Sequence, residues 1–219
     1  MGAVMAALLG CMGVPVAAAP YAAVVMDARD GTIYHSRSAD RRLHPASLTK
    51  MMTVYLAFEA VERGDLRLDQ MIRISSNAAA EPPSRLGLRT GQRLSVRHLI
   101  RAAAVRSAND AATALGEAIA GSERAFAEMM TAKARALGMA NTTFRNAHGL
   151  TQSGHMSSAR DMAILARHLL YDFPQYYNIF GRRSTYAGVA TVYNTNRRLL
   201  GNYLGADGIK TGYTRAAGF

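Results

Sequence analysis

Ser47 and Lys50 stand three positions apart in Pro45-Ala-Ser-Leu-Thr-Lys50, between a short polar segment and a long apolar run. On the first turn of a helix, that spacing puts hydroxyl and amine on one face. A lysine withdrawn from water gives up its charge more readily and can then act as general base toward the serine. The N–H groups at a helix N-terminus stabilise negative charge that develops beside them. Together these features outline an acyl-transfer site. Ser-x-x-Lys also arises by chance about once in a chain of this size, usually as a capping serine followed by a surface lysine. Its meaning therefore rests on what lies downstream.

Two further motifs follow in order, Ser107-Ala-Asn109 and Lys210-Thr-Gly212. Ser-x-x-Lys, Ser-x-Asn and Lys-Thr-Gly in this order are the known signature of penicillin-binding proteins and class A β-lactamases. The flanks match as well: Pro45-Ala-Ser-Leu-Thr-Lys-Met-Met-Thr53, Ser107-Ala-Asn-Asp-Ala-Ala112, Asn146-Ala-His-Gly-Leu150, Ser157-Ser-Ala-Arg-Asp-Met-Ala163 and Asp207-Gly-Ile-Lys-Thr-Gly-Tyr-Thr214. On these residues the chain resembles the low-molecular-mass penicillin-binding proteins that are serine D-alanyl-D-alanine carboxypeptidases, peptidase family S11. The resemblance runs over residues 22 to 219.

The resemblance implies a role for each motif residue. Ser47 would attack the D-Ala-D-Ala peptide carbonyl, and Lys50 would take its proton. Ser107 would relay a proton to the leaving nitrogen. Asn109 would bind the substrate amide and orient Lys50. Lys210 and Thr211 would meet the terminal carboxylate, and Gly212 would let the chain lie close to substrate. The backbone N–H groups of Ser47 and Tyr213 would form the oxyanion hole. No metal or organic cofactor is needed. The implied substrates are peptidoglycan stem peptides ending in D-Ala-D-Ala, and β-lactams, which mimic that terminus, should acylate Ser47. The rivals are a D,D-endopeptidase of the same superfamily, a class A-like β-lactamase, and an inactive remnant that binds wall or sequesters penicillin. The β-lactamase reading lacks its deacylating loop, since no Glu-x-x-Leu-Asn run follows Ser107.

The implied fold is α/β (α+β), of the β-lactamase/transpeptidase kind: an antiparallel sheet flanked by helices, with an all-helical lobe between Ser107 and the last strand. In that family further strands and a closing helix follow the Lys-Thr-Gly strand. The chain ends at Phe219, so the expectation is one catalytic domain over residues 20–219, truncated at its C-terminus.

Composition agrees with a single catalytic domain. The 219 residues are 49% hydrophobic, enough for a sizeable core. The net charge of +11 is scattered, with pairs at Arg41-Arg42, Arg182-Arg183 and Arg197-Arg198. No aromatic-interleaved basic stripe argues for nucleic acid; a weak attraction to an anionic membrane surface or cell wall is compatible. Residues 1–19 form a short apolar run ending in small residues, a signal peptide in outline without its basic start. It predicts export to the periplasm or the outer face of the cytoplasmic membrane. The one cysteine, Cys11, lies there, in a weak lipidation box that is the rival reading.

The elements that must position the motifs are legible. Ala22–Met26 and Thr32–Ser36 read as a hairpin turning at Asp30-Gly31. Met51, Met52, Val54, Tyr55, Phe58 and Val61 make a broad apolar helix face, with Gly64 at its end. Residues 74–95 read as loop-rich. Helices follow from Ser95 to Arg106, from Asp110 to Ala120, from Glu123 to Leu137 under a Ser122 cap, and from Ser157 or Ser158 to Leu170. Residues 185–195 read as strand or loop, and Asp207–Gly212 as a strand edging the cleft. His44 tempts as a base, but Lys50 already fills that role. His148, His155 and Asp161 lack a metal-site spacing.

Overall fold

The computed structural model describes residues 21–218. The signal-peptide reading of residues 1–19, with Cys11, therefore lies outside the described residues. Strands β1 (Ala23–Met26) and β2 (Ile33–Arg37) pair antiparallel, Val24 opposite Ser36. Asp27 and Asp30 accept backbone N–H groups in the turn, and Gly31 takes φ +84° there, a conformation glycine adopts at no steric cost.

A single 3-10 turn, Ala46–Leu48, leads directly into α1 (Thr49–Glu62). The apolar face expected of α1 is in fact a whole circumference. Met52, Val54 and Ala57 are fully buried, and so are the polar Thr49, Lys50 and Thr53. Burial of each large apolar side chain stabilises by about 1.5–3 kcal/mol. The polar ones are tolerated because each is hydrogen-bonded: Thr53 Oγ1 donates to Ala147 O at 2.6 Å, and Thr49 Oγ1 lies 2.8 Å from His155 Nε2.

The loop-rich stretch contains β3 (Met71–Arg73), a short α2 (Ser76–Ala80) and β4 (Arg93–Ser95), with β3 and β4 antiparallel. Helix α2 was not legible at five residues; Ser75 caps it by accepting from Ala78 N–H. Next come α3 (Val96–Arg101), a π turn over Ala102–Arg106, α4 (Asn109–Ala120) and α5 (Glu123–Ala136), capped by Ser122. Ser158, not Ser157, caps α6 (Ala159–Asp172). After α7 (Pro174–Tyr177), β5 (Ser184–Tyr186) and β6 (Thr191–Tyr193) form a hairpin, and α8 (Arg197–Asn202) is the last helix among the described residues. Helix α1 runs through the centre, with α4, α5 and α6 packed on it and α6 also against β1.

Two expectations are corrected. The strands do not form one sheet: among the described residues there are three separate two-stranded sheets, β1-β2, β3-β4 and β5-β6. The helical lobe therefore carries a hairpin of its own. Asp207–Gly212 is not a strand. No described strand lies beside it to complete a ladder, so side chains hold it instead. Asn196 Nδ2 donates to Gly208 O at 3.0 Å, and Thr211 Oγ1 donates to Thr195 Oγ1 at 2.8 Å.

Candidate active site

The 3-10 turn sets Ser47, half-buried, one turn ahead of the fully buried Lys50. Lys50 Nζ lies 3.2 Å from Ser47 Oγ, 2.7 Å from Asn109 Oδ1 and 2.7 Å from the His148 carbonyl oxygen. A neutral amine has two N–H bonds and one lone pair. The two short contacts are to carbonyl oxygens, which only accept, so they consume both N–H bonds. In that neutral form the lone pair would face Ser47 Oγ. Burial pushes the Lys50 pKa well below that of a free lysine, and the nearby Lys210 charge pushes it further; Glu81 and Asp110 oppose the shift. A lysine with a lowered pKa, held beside a serine hydroxyl, is an arrangement that can activate the serine as a nucleophile.

The second motif lies at the junction of the π turn and α4. Ser107 takes a left-handed backbone, φ 64°, which breaks the helix and starts α4 anew at Asn109. Asn109 is clamped at both ends of its amide: Oδ1 accepts from Lys50, and Nδ2 donates to Pro82 O at 2.8 Å. Ser107 Oγ, in contrast, is buried without a hydrogen-bond partner, the one such side-chain atom among the described residues. Leaving a buried hydroxyl unpaired costs about 1–3 kcal/mol, the kind of deficit that functional groups carry. The next residue, Asp110, accepts from the N–H groups of Leu86, Gly87 and Leu88, so the Ser-x-Asn motif also anchors the 82–88 loop.

The third motif passes close to Ser47. A Cβ on Gly212 would lie 3.1 Å from Ser47 N and 2.8 Å from Leu48 Cδ1, so only glycine lets this segment run beside the Ser47 N–H. The Ser47 and Tyr213 stretches are thereby neighbours, as an oxyanion hole built from both would require. Lys210 is half-buried, and desolvation pulls its pKa down to about 7. A groove of about 530 Å³ runs along this side, lined by His44, Leu48, Lys210 and Gly212 among others. His44 Nδ1 lies 3.0 Å from His155 O, a structural contact.

Sequence reasoning missed three contributors. The His148 carbonyl binds Lys50, although the Asn146–Leu150 flank had signalled only kinship. Glu81 and Glu123, from two other segments, meet the His148 ring; each Oε1 is 3.3 Å from Nε2. His148, Glu81 and Glu123 thus offer three potential metal-ligand atoms within 4.8 Å of one another, whereas His155 and Asp161 are engaged elsewhere. His155 bonds Thr49 and Arg145 N–H, and Asp161 bonds Thr142. Nothing in the spacing of 81, 123 and 148 announces the cluster.

The model of the family D-alanyl-D-alanine carboxypeptidase (Peptidase S11) matches residues 13–219. The chain belongs to peptidase family S11. It is 40% identical over 200 residues to the D-alanyl-D-alanine carboxypeptidase DacF of Bacillus subtilis (strain 168), covering 89% of this chain and 51% of DacF. Its fold is that of penicillin binding protein 5 from Haemophilus influenzae, with TM-score 0.85 and 36% identity over 90% of this chain and 58% of that one. The ampicillin-bound Penicillin-Binding Protein D2 from Listeria monocytogenes is similar at TM-score 0.75 and 32% identity, over 89% of this chain and 79% of that one. The chain spans about half the length of the curated relatives it matches. The transpeptidase-like fold expected from the motifs is thus present, with small antiparallel sheets. No described helix is long and apolar enough to cross a membrane.

Proposed function

We propose that this chain carries the catalytic machinery of a serine D-alanyl-D-alanine carboxypeptidase, which removes the C-terminal D-alanine from peptidoglycan stem pentapeptides. The observation that carries the proposal is the buried Lys50 amine, held by two carbonyl oxygens with its remaining valence toward Ser47 Oγ. Ser47 attacks the peptide carbonyl, and Lys50 takes the hydroxyl proton. The N–H groups of Ser47 and Tyr213 hold the oxyanion. Ser107, whose buried hydroxyl has no other partner, passes a proton to the leaving D-alanine nitrogen. Lys210 and Thr211 bind the terminal carboxylate, which restricts cleavage to the last residue. Water then hydrolyses the acyl-enzyme. A β-lactam enters the same cycle and is released slowly. Residues 20–219 form the catalytic domain, and residues 1–19 direct export, which puts the enzyme where peptidoglycan is.

The test is incubation with a fluorescent penicillin and with a D-Ala-D-Ala pentapeptide. Covalent labelling and free D-alanine are expected from the native chain. Ser47→Ala should lose both, and retained labelling would remove Ser47 from the nucleophile's role. Opening of cross-links without free D-alanine would make the chain an endopeptidase instead, rapid penicillin hydrolysis a β-lactamase, and binding without acylation an inactive remnant.

The pH dependence separates the two lysines. Lys50 must be neutral, so acylation should fail as pH drops through its depressed pKa. Lys210 contributes a positive charge that lowers this pKa. In Lys210→Gln the acid limb of the penicillin acylation profile should therefore move to higher pH, and binding of the peptide carboxylate should weaken. An acid limb that stays in place or moves down would contradict the assignment of base and carboxylate anchor.

A further inference from the structure

The catalytic reading leaves the Glu81–His148–Glu123 cluster without a role, although its histidine supplies a carbonyl to Lys50. Glu81 directly follows α2, Glu123 opens α5, and His148 lies in the loop before α6. All are distant in sequence from Ser47. Glu81 Oε1 accepts from Thr113 Oγ1 at 2.9 Å, and Glu123 Oε1 accepts from Ala147 N–H at 3.2 Å. Leu150 N–H donates to His148 Nδ1 at 3.1 Å. That last contact decides the state of the ring. Nδ1 must accept, so the imidazole proton sits on Nε2, where it points between the two carboxylates. A metal ion would need the Nε2 lone pair and would drive the proton onto Nδ1, against the Leu150 N–H. The ring is therefore suited to hydrogen bonding and unsuited to coordination.

The consequence runs to Lys50. With the ring held at both nitrogens and Ala147 held through N–H and O, the His148 carbonyl has one position, 2.7 Å from Nζ. Glu81 has a second arm through its neighbour. Pro82 O fixes the Asn109 amide, whose oxygen is the other acceptor of the Lys50 N–H bonds. Both carbonyl oxygens that aim the amine are thus set from residues 81–82.

We propose that Glu81, His148 and Glu123 form a positioning triad that fixes the His148 carbonyl and so orients Lys50 toward Ser47. The triad rests on the acyl-transfer reading above for its purpose, but not for its test. The chain has only three lysines, Lys50, Lys133 and Lys210, so ε-carbon-13 labelling gives three resonances, and Lys50 can be titrated whether or not the protein acylates. The charged groups facing Lys50 are Lys210, Glu81 and Asp110; His155 is a further titratable neighbour of His148.

In Glu123→Ala the Lys50 resonance should shift while that of Lys133 stays. Penicillin acylation should fall roughly 10- to 100-fold, the scale expected when a reacting group is displaced by about 1 Å. Glu123→Gln keeps an acceptor oxygen and should recover most of the rate. Glu81→Gln keeps the hydrogen bonds but removes a charge that raises the Lys50 pKa, so its Lys50 midpoint should fall. If Glu123→Ala does not fold, Glu81→Ala decides the matter: it removes the contacts to Thr113 and His148 as well as the charge, so its acylation rate should fall below that of Glu81→Gln. An unchanged Lys50 resonance and midpoint in both glutamate series would overturn the proposal, and so would a Gln variant no more active than Ala. Stoichiometric zinc or manganese binding that moves the Lys50 resonance and is reversed by a chelator would replace the triad with a metal site. A native chain that takes no penicillin label would refute the acyl-transfer reading, and the lysine titration would still decide the triad.

Discussion

Lys50→Met should lower the rate of acylation by fluorescent penicillin by roughly a hundred- to ten-thousand-fold, the usual contribution of a positioned general base. Methionine matches the length of the lysine stem and fills the fully buried site. It supplies no lone pair to Ser47 and no N–H to Asn109 Oδ1 or the His148 carbonyl. The stability change is a balance of two terms. Removing a desolvated amine stabilises. Leaving two buried acceptors unpaired costs about 1–3 kcal/mol each. The melting temperature should therefore move by much less than the rate. Time-resolved labelling beside a thermal melt checks both. A variant that acylates within a few-fold of the native rate would mean that another group takes the Ser47 proton, and His44, already bonded to the His155 carbonyl, would then need a different arrangement from the one seen.

Gly149→Ala should destabilise the protein by about 3 kcal/mol or more and abolish labelling, through backbone alone. A Cβ there would lie 1.8 Å from Ala46 O and 2.8 Å from Thr49 Oγ1. The residue also has φ +92°, where side chains are strained. Overpacking of a tight core costs about 1–3 kcal/mol, and a left-handed or otherwise strained backbone adds of order 1–3 kcal/mol. The clash is with the turn that presents Ser47, so relief requires the 146–150 loop to withdraw, taking the His148 carbonyl from Lys50. Urea unfolding measures the first effect and penicillin labelling the second. A folded, fully labelled Gly149→Ala protein would show that the loop need not approach the Ser47 turn so closely.

The three motifs, their order and their flanks were enough to identify the family, because acyl transfer by serine and lysine demands those residue types in local patterns. Ser47 and Lys50 are three apart and share a helix face; Ser107 and Asn109 share one helix junction. The long elements were legible for the same reason. Helix α5 has its Ser122 cap, α6 its Ser158 cap and α1 its Gly64 stop, each a local signal acting within one turn. Short or isolated elements were not. Helix α2 is too brief to show a period, and Asp207–Gly212 has the composition of a strand without a described neighbour to make it one.

What only the tertiary structure decided is how the amine is aimed. Burial lowers the Lys50 pKa, and the amine is directed because Asn109, 59 residues on, and His148, 98 residues on, place two carbonyl oxygens 2.7 Å away. Glu81 and Glu123 reach His148 only because α2, α5 and the 146–150 loop meet beside α1. Local spacing can specify which groups do chemistry, since a helix turn or a junction fixes neighbours. Desolvation and contacts between distant segments exist only once the core has closed, and they decide whether those groups are charged, where they point, and which proton Lys50 can take.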